Sequence, residues 1–274
     1  MIERKHRYGN LVFDRNAIVR AALRAYVEAV LHGLARFSFP ACDEPRWTGD
    51  LGRGVFYEGG GCGDYSVVAW TEVGVVGFAY ELGWGPIEHL DLSVDAVTGG
   101  PDDVRGALPG LPDELEPALV LATSMLEKGP NHGERLAGVG FWLHGNQVAG
   151  TLFGDPTDVG ARRLAMWGLL QDGRLLPRTY HFSHPSDMAI VVESARKEAP
   201  IHALMDAVVD RRMRAPTEFT NAEIETLFPT QPDPEQLLCA QRMLQKVGIT
   251  WPGSPELPRE EPWPEVPNPF FQRP

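Results

Sequence analysis

Basic charge is what this chain has least of. Its 274 residues carry 25 Lys+Arg against 37 Asp+Glu, a formal net charge of −12. Lysine itself is almost absent: Lys5, Lys128, Lys197 and Lys246 are the only four. An acidic chain repels a phosphate backbone and gains nothing at an anionic lipid surface, so neither nucleic acid nor membrane is an expected partner. Cysteine is scarce too, with only Cys42, Cys62 and Cys239. An odd number without short spacing excludes a disulfide framework and a zinc knuckle, and fits a reducing compartment. No apolar run reaches the 18 residues of a membrane span, and the charged opening MIERKHRYGNLVF has no signal-peptide apolar core. The expectation is a cytoplasmic protein.

Catalytic signatures are also missing. The sequence has no GxxxxGK[ST], HExxH, GxSxG or CxxC. Gly59-Gly60-Gly61-Cys62-Gly63-Asp64 looks like a phosphate cradle but leads into a strand pattern, whereas phosphate loops open a helix. It reads as a turn. Cys62 would need a histidine such as His89, His144 or His181 to become a nucleophile. His181 and His184 share one face only on a helix, which Ser183 and Pro185 argue against. No catalytic residue, metal ligand or cofactor is therefore expected. The competing reading is a hydrolase that uses Cys62 with a nearby histidine, or a carboxylate pair among Glu81, Glu88 and Asp91.

What is abundant is glycine, proline and local pattern. Gly (29) and Pro (24) punctuate a chain that is 43% hydrophobic. Asp14 to Phe37 reads as a helix, with Val19, Leu23, Tyr26, Val27, Val30, Leu34 and Phe37 on one stripe. Arg20, Arg24 and Glu28 lie on another face, where Arg24 and Glu28 can pair weakly. Gly54–Tyr57, Tyr65–Thr71 and Val75–Glu81 read as strands, the last two joined as a hairpin through Glu72-Val73-Gly74. Residues 86–112 read as irregular, and Asp113 to Lys128 as a helix. Val139–Leu143 and Gln147–Phe153 form a second expected hairpin, and a helix is expected from Asp155-Pro156 to Leu170. Residues 187–213 should be helical with an interruption at Pro200. Thr220 to Glu223 is a capping box, Asp233-Pro234 opens a helix, and Gly248 ends it.

The expected fold class is α+β: an antiparallel meander packed on a long N-terminal helix, followed by a helical C-terminal extension. The expected division is residues 1–173, a helical extension at 174–250 and a proline-rich tail at 251–274. That tail holds eight prolines after Trp251, and Pro252-x-x-Pro255-x-x-Pro258 could serve an adaptor as a polyproline ligand. Trp84 lies between two glycines among acidic residues, a setting that suits a protein interface better than a core. The candidate partner-binding residues are Asp64, Glu72, Glu81, Trp84 and Glu88.

Gly63-Asp64 before the strand Tyr65–Trp70, Gly74 to Glu81, and Gly85-Pro86 together resemble a family of uncharacterised bacterial proteins from toxin–immunity gene neighbourhoods. Members show a Gly-Asp strand, a Gly…Gly-Phe-Asp-His-Glu strand and a following proline. The likeness runs on through Pro109 to Leu115, Phe141-Trp142 and the segment with Leu164, Trp167 and Leu170, covering about residues 50–172. This chain has Ala79-Tyr80-Glu81 where the family has Asp-His-Glu. The resemblance implies a small α+β domain without a known catalytic centre and a non-enzymatic immunity role with a cognate toxin as the protein partner; the chain's negative charge makes a basic toxin the expectation.

Overall fold

A computed structural model describes residues 2–6, 9–35, 45–59, 65–80, 104–125, 139–154 and 188–257. The chain divides into two compact units. One comprises residues 1–22 and 44–175, the other 23–43 and 176–274. The class is α+β, with an antiparallel sheet and an N-terminal helix.

The first unit begins with a ribbon of β1 (Ile2–His6) and β2 (Gly9–Phe13), in register from Ile2–Phe13 to His6–Gly9. This ribbon was not foreseen from the charged N-terminal sequence. Helix α1 (Arg15–Ala35) follows, and Asp14 caps it by accepting from the Ala17 amide at 3.0 Å. The main sheet is a six-stranded meander of β3 (Arg46–Gly49), β4 (Gly54–Gly59), β5 (Tyr65–Thr71), β6 (Gly74–Tyr80), β7 (Val139–His144) and β8 (Gln147–Ala149), each pairing with the next. The β5–β6 hairpin closes through Glu72-Val73 and the β7–β8 hairpin through Gly145-Asn146. Gly145 has φ +56°, the left-handed conformation that a two-residue hairpin turn requires.

Both faces of this sheet are covered, so every residue of β5 is buried. One face carries Val55, Val67, Ala69, Val76, Phe78 and Trp142. Helix α2 (Glu116–Met125) lies on it through Ala118, Leu119 and Ala122. The other face carries Phe56, Val68, Trp70, Val75, Phe141 and Leu143, all buried. There Phe13, just ahead of α1, meets Phe141 edge-on with ring centroids 5.6 Å apart, and Phe153 at 5.1 Å. Arg15 in the first turn of α1 ties the N-terminal segment to the same unit. Its guanidinium donates to Thr71 O at 2.5 Å and Gly52 O at 2.6 Å. Trp70 is fully buried against Trp47, 5.0 Å away, and its indole N–H reaches Asp50 O at 2.9 Å. A buried tryptophan keeps its place only where that N–H has an acceptor.

Three expectations for this unit change. Strand β3 was missed, since its single buried residue, Trp47, shows no alternation. Residues 104–112 are not merely a connector: a 3₁₀ turn at Arg105–Ala107 brings Val104, Ala107 and Leu108 into the core. Expected strand Gln147–Phe153 ends at Ala149 because Thr151–Phe153 is a 3₁₀ turn entered through Gly150 at φ +139°. The helix expected at 155–170 lies outside the described residues.

The second unit contains the rest of α1 with α3 (Met188–Arg212), α4 (Asn221–Leu227) and α5 (Pro234–Lys246). A short parallel bridge joins β9 (Thr217–Glu218) to β10 (Ile249–Thr250). The capping box is present: Thr220 Oγ1 accepts from the Glu223 amide, and Glu223 accepts from the Thr220 amide. Asp233 accepts from the amides of Glu235 and Gln236, with Pro234 at the first helical position. Gly248, at φ +74°, follows the end of α5.

Pro200 does not interrupt α3, which runs unbroken from Met188 to Arg212. The proline removes one bond to the Arg196 carbonyl, and both Pro200 and Arg196 are exposed, so water can take that bond's place. Trp251 belongs to the core of this unit, with Phe219 at 5.6 Å and Phe228 at 6.4 Å. Pro252 and Gly253 form a turn with Gly253 at φ +84°, so this stretch does not adopt the extended helix that a Pro-x-x-Pro ligand needs. Residues 258–274 lie outside the described residues.

Candidate functional site

Of the five candidate partner-binding residues only Glu72 falls among the described residues; Asp64, Glu81, Trp84 and Glu88 do not. Glu72 is exposed at the β5–β6 turn, next to Val73, which is 46% exposed. Tyr65 and Tyr80, the residues next to Asp64 and Glu81, are register partners at the opposite end of the same two strands. Six residue steps along β5, at about 3.3 Å each, place roughly 20 Å between Tyr65 and Thr71. Glu72 therefore stands apart from that end of the sheet. Burial lowers the Arg15 pKa from its ordinary value, against the opposing pull of Glu72, Asp14 and Asp50.

Cys62, His89, His181 and His184 lie outside the described residues, while His144 is half-buried at the end of β7. Cys239 is a buried free thiol whose pKa is pushed up by burial, the reverse of an activated nucleophile. Among the described residues, no group of three or more His, Cys, Asp or Glu side chains could hold a metal ion.

Two buried polar arrangements were not foreseen. In the sheet, Glu58 and Ser66 are register partners on β4 and β5, both fully buried, and the Ser66 hydroxyl donates to Glu58 Oε1. Their even spacing from Phe56 and Val68 was legible, but polar residues in a strand are usually assigned to the solvent side.

The second arrangement lies in the helical unit. Arg24 is 1% exposed and Glu28 5% exposed. Residues Ala21 to Leu31 are all buried, so the face that holds Arg24 and Glu28 is interior. Arg24 Nη1 donates to Glu28 Oε2 at 2.5 Å, Nε to Asp206 Oδ1 at 3.2 Å, and Nη2 reaches His202 Nδ1 at 2.9 Å. His202 Nε2 in turn lies 3.7 Å from Glu198 Oε2. The pair expected to be weak is thus part of a buried network bridging α1 and α3, closed across about 180 residues of sequence. The spacing of Arg24 and Glu28 was the available signal; its burial was not encoded locally. On α1's other side the Tyr26 hydroxyl donates to Met243 O at 3.1 Å, and burial, then Cys239, holds that phenol well above its usual pKa.

At the far end of α3, Arg211 clasps both oxygens of Glu223 at 2.7 and 2.9 Å. Desolvation alone would raise the Glu223 pKa. The bonds from Arg211 and from the Thr220 amide outweigh it and bring the pKa below the usual carboxylate range. The buried Arg24 and the half-buried Arg211 are thus each matched to carboxylates.

In comparisons with known proteins, no family model, curated protein or solved structure matches this chain. No helix among the described residues is long and apolar enough to cross a membrane.

Proposed function

We propose that this chain is a cytoplasmic, non-enzymatic immunity-type protein that binds and neutralises a basic bacterial toxin. The observation that carries this reading is where the acid excess lies. Arg24 pairs with Glu28 and Asp206, Arg105 with Glu116, and Arg211 with Glu223. Glu72, Glu218, Glu225, Asp233, Glu235 and Glu256 stay exposed. Among the described residues these exposed acids outnumber the exposed bases Arg46, Arg53, Arg196, Lys197 and Arg214, and a net negative surface raises the rate at which a basic partner is captured without any catalytic group. The resemblance over residues 50–172 points the same way. On this reading Asp64, Glu72, Glu81, Trp84 and Glu88 contribute to the toxin contact.

The test is affinity for a basic toxin encoded beside this chain's gene, if one is found there, measured by calorimetry across ionic strength. Affinity should fall steeply as salt rises. Trp84→Ala should weaken binding about tenfold or more, as interface tryptophans do. Glu81→Lys and Glu72→Lys should slow association. Salt-independent binding, or no effect of all three variants, would refute the charge-steered interface.

A further inference from the structure

We propose that His202 is a proton-operated partner exchange between α1 and α3. The argument starts from arginine chemistry. A guanidinium only donates, so the 2.9 Å contact from Arg24 Nη2 makes His202 Nδ1 an acceptor. The ring is then neutral and carries its proton on Nε2, on the side of Glu198, 3.7 Å away. Nδ1 also lies 3.9 Å from Glu28 Oε2, the oxygen that Arg24 holds. One nitrogen thus faces a donor it can use only while unprotonated and an acceptor it can use only when protonated.

When a solvent proton adds to the Nδ1 lone pair, the Arg24–His202 bond breaks, because two donors cannot share it. The new Nδ1–H turns to Glu28 Oε2, and Arg24 keeps Asp206. The His202 side chain is 26% exposed, so the proton has a route in, whereas Arg24 and Glu28 are almost closed off. Among the described residues, the charged groups facing the ring are Arg24 and Glu28 from α1 and Glu198 from α3, while Asp206 of α3 is held by Arg24. On α5, Cys239 lies in the field of Tyr26, Arg242 and Lys246. The Glu28 and Glu198 carboxylates favour the added charge and Arg24 opposes it. The result is an exchange of partners and not a simple loss of one bond.

The experiment is side-chain NMR on the intact chain, from about pH 8 to about pH 5, where histidine titrates. The His202 ring should show the Nε2–H tautomer when neutral, and the Glu28 carboxyl carbon should shift in step with the ring. His202→Asn places an amide oxygen near the Nδ1 position, and there the step at Glu28 should vanish. Glu198→Gln should move the midpoint but keep the Glu28 response. An Nδ1–H tautomer, a ring that stays neutral to about pH 5, or a Glu28 signal indifferent to the ring's titration would each overturn the proposal. The wild-type titration alone decides the matter if a variant fails to fold.

Discussion

The sheet unit and the helical unit solve the same problem by different chemistry. Among the described residues of the sheet unit, Glu58 is the one buried charge, met by the Ser66 hydroxyl, and most neighbours are apolar and set by register: Val67 beside Phe78, Ala69 beside Val76, Val76 beside Trp142. In the helical unit the helices are pinned by directed polar bonds. Arg24 reaches two residues of α3, Arg211 reaches α4, and the Arg212 guanidinium donates to Val247 O beyond the end of α5. Apolar packing tolerates substitution by volume, whereas a buried charge tolerates only replacement of the whole set. The sheet should therefore yield gradually to mutation and the helical core abruptly.

The largest break in that contrast should come from Arg24→Met. It leaves Glu28 buried without its guanidinium and should cost about 3–5 kcal/mol. Denaturant unfolding, with hydrogen exchange at α3 and α5 amides, measures it. Arg24→Met with Glu28→Leu should recover much of the loss, since removing both charges removes the uncompensated one. Equal loss of protection at β5 and β6 amides would erase the distinction between the units. Leu119→Ala, which empties a fully buried site where α2 meets the sheet, should cost about 2–4 kcal/mol, with protection lost at β5 and β6. Pro200→Ala restores the missing donor in α3 and should raise stability by about 1 kcal/mol or more, read as a higher unfolding midpoint.

Smaller effects sharpen the polar side of the comparison. Asp233→Ala removes the cap of α5 and should cost about 1 kcal/mol. The Glu223 carboxyl titrates lower in the folded chain than in the unfolded one. Its contribution is present above the ordinary carboxylate pKa and is lost as pH falls through the folded value. Stability profiles of wild type and Glu223→Gln should therefore converge in acid and separate towards neutral pH.

Most of the sheet's central strands were legible, because period-two apolar runs bounded by glycine fall within seven residues. The caps at Thr220 and Asp233 were legible for the same reason, as each bond spans two or three residues. Trp47 was not, since one buried residue in a four-residue edge strand carries no period. The continuity of α3 through Pro200 was not legible either, because a local rule about proline cannot report that the lost bond faces solvent.

For the site, the sequence alone determined composition and sign: acid surplus, scarce cysteine, no catalytic spacing, and a glutamate four residues after Arg24. Only the tertiary structure decided that the Arg24 face is interior and that His202 and Asp206 complete it. The reason is range. Periodicity and capping act over one or two turns. The desolvation that converts a weak helix pair into a required network depends on atoms about 180 residues away, and no local pattern encodes them.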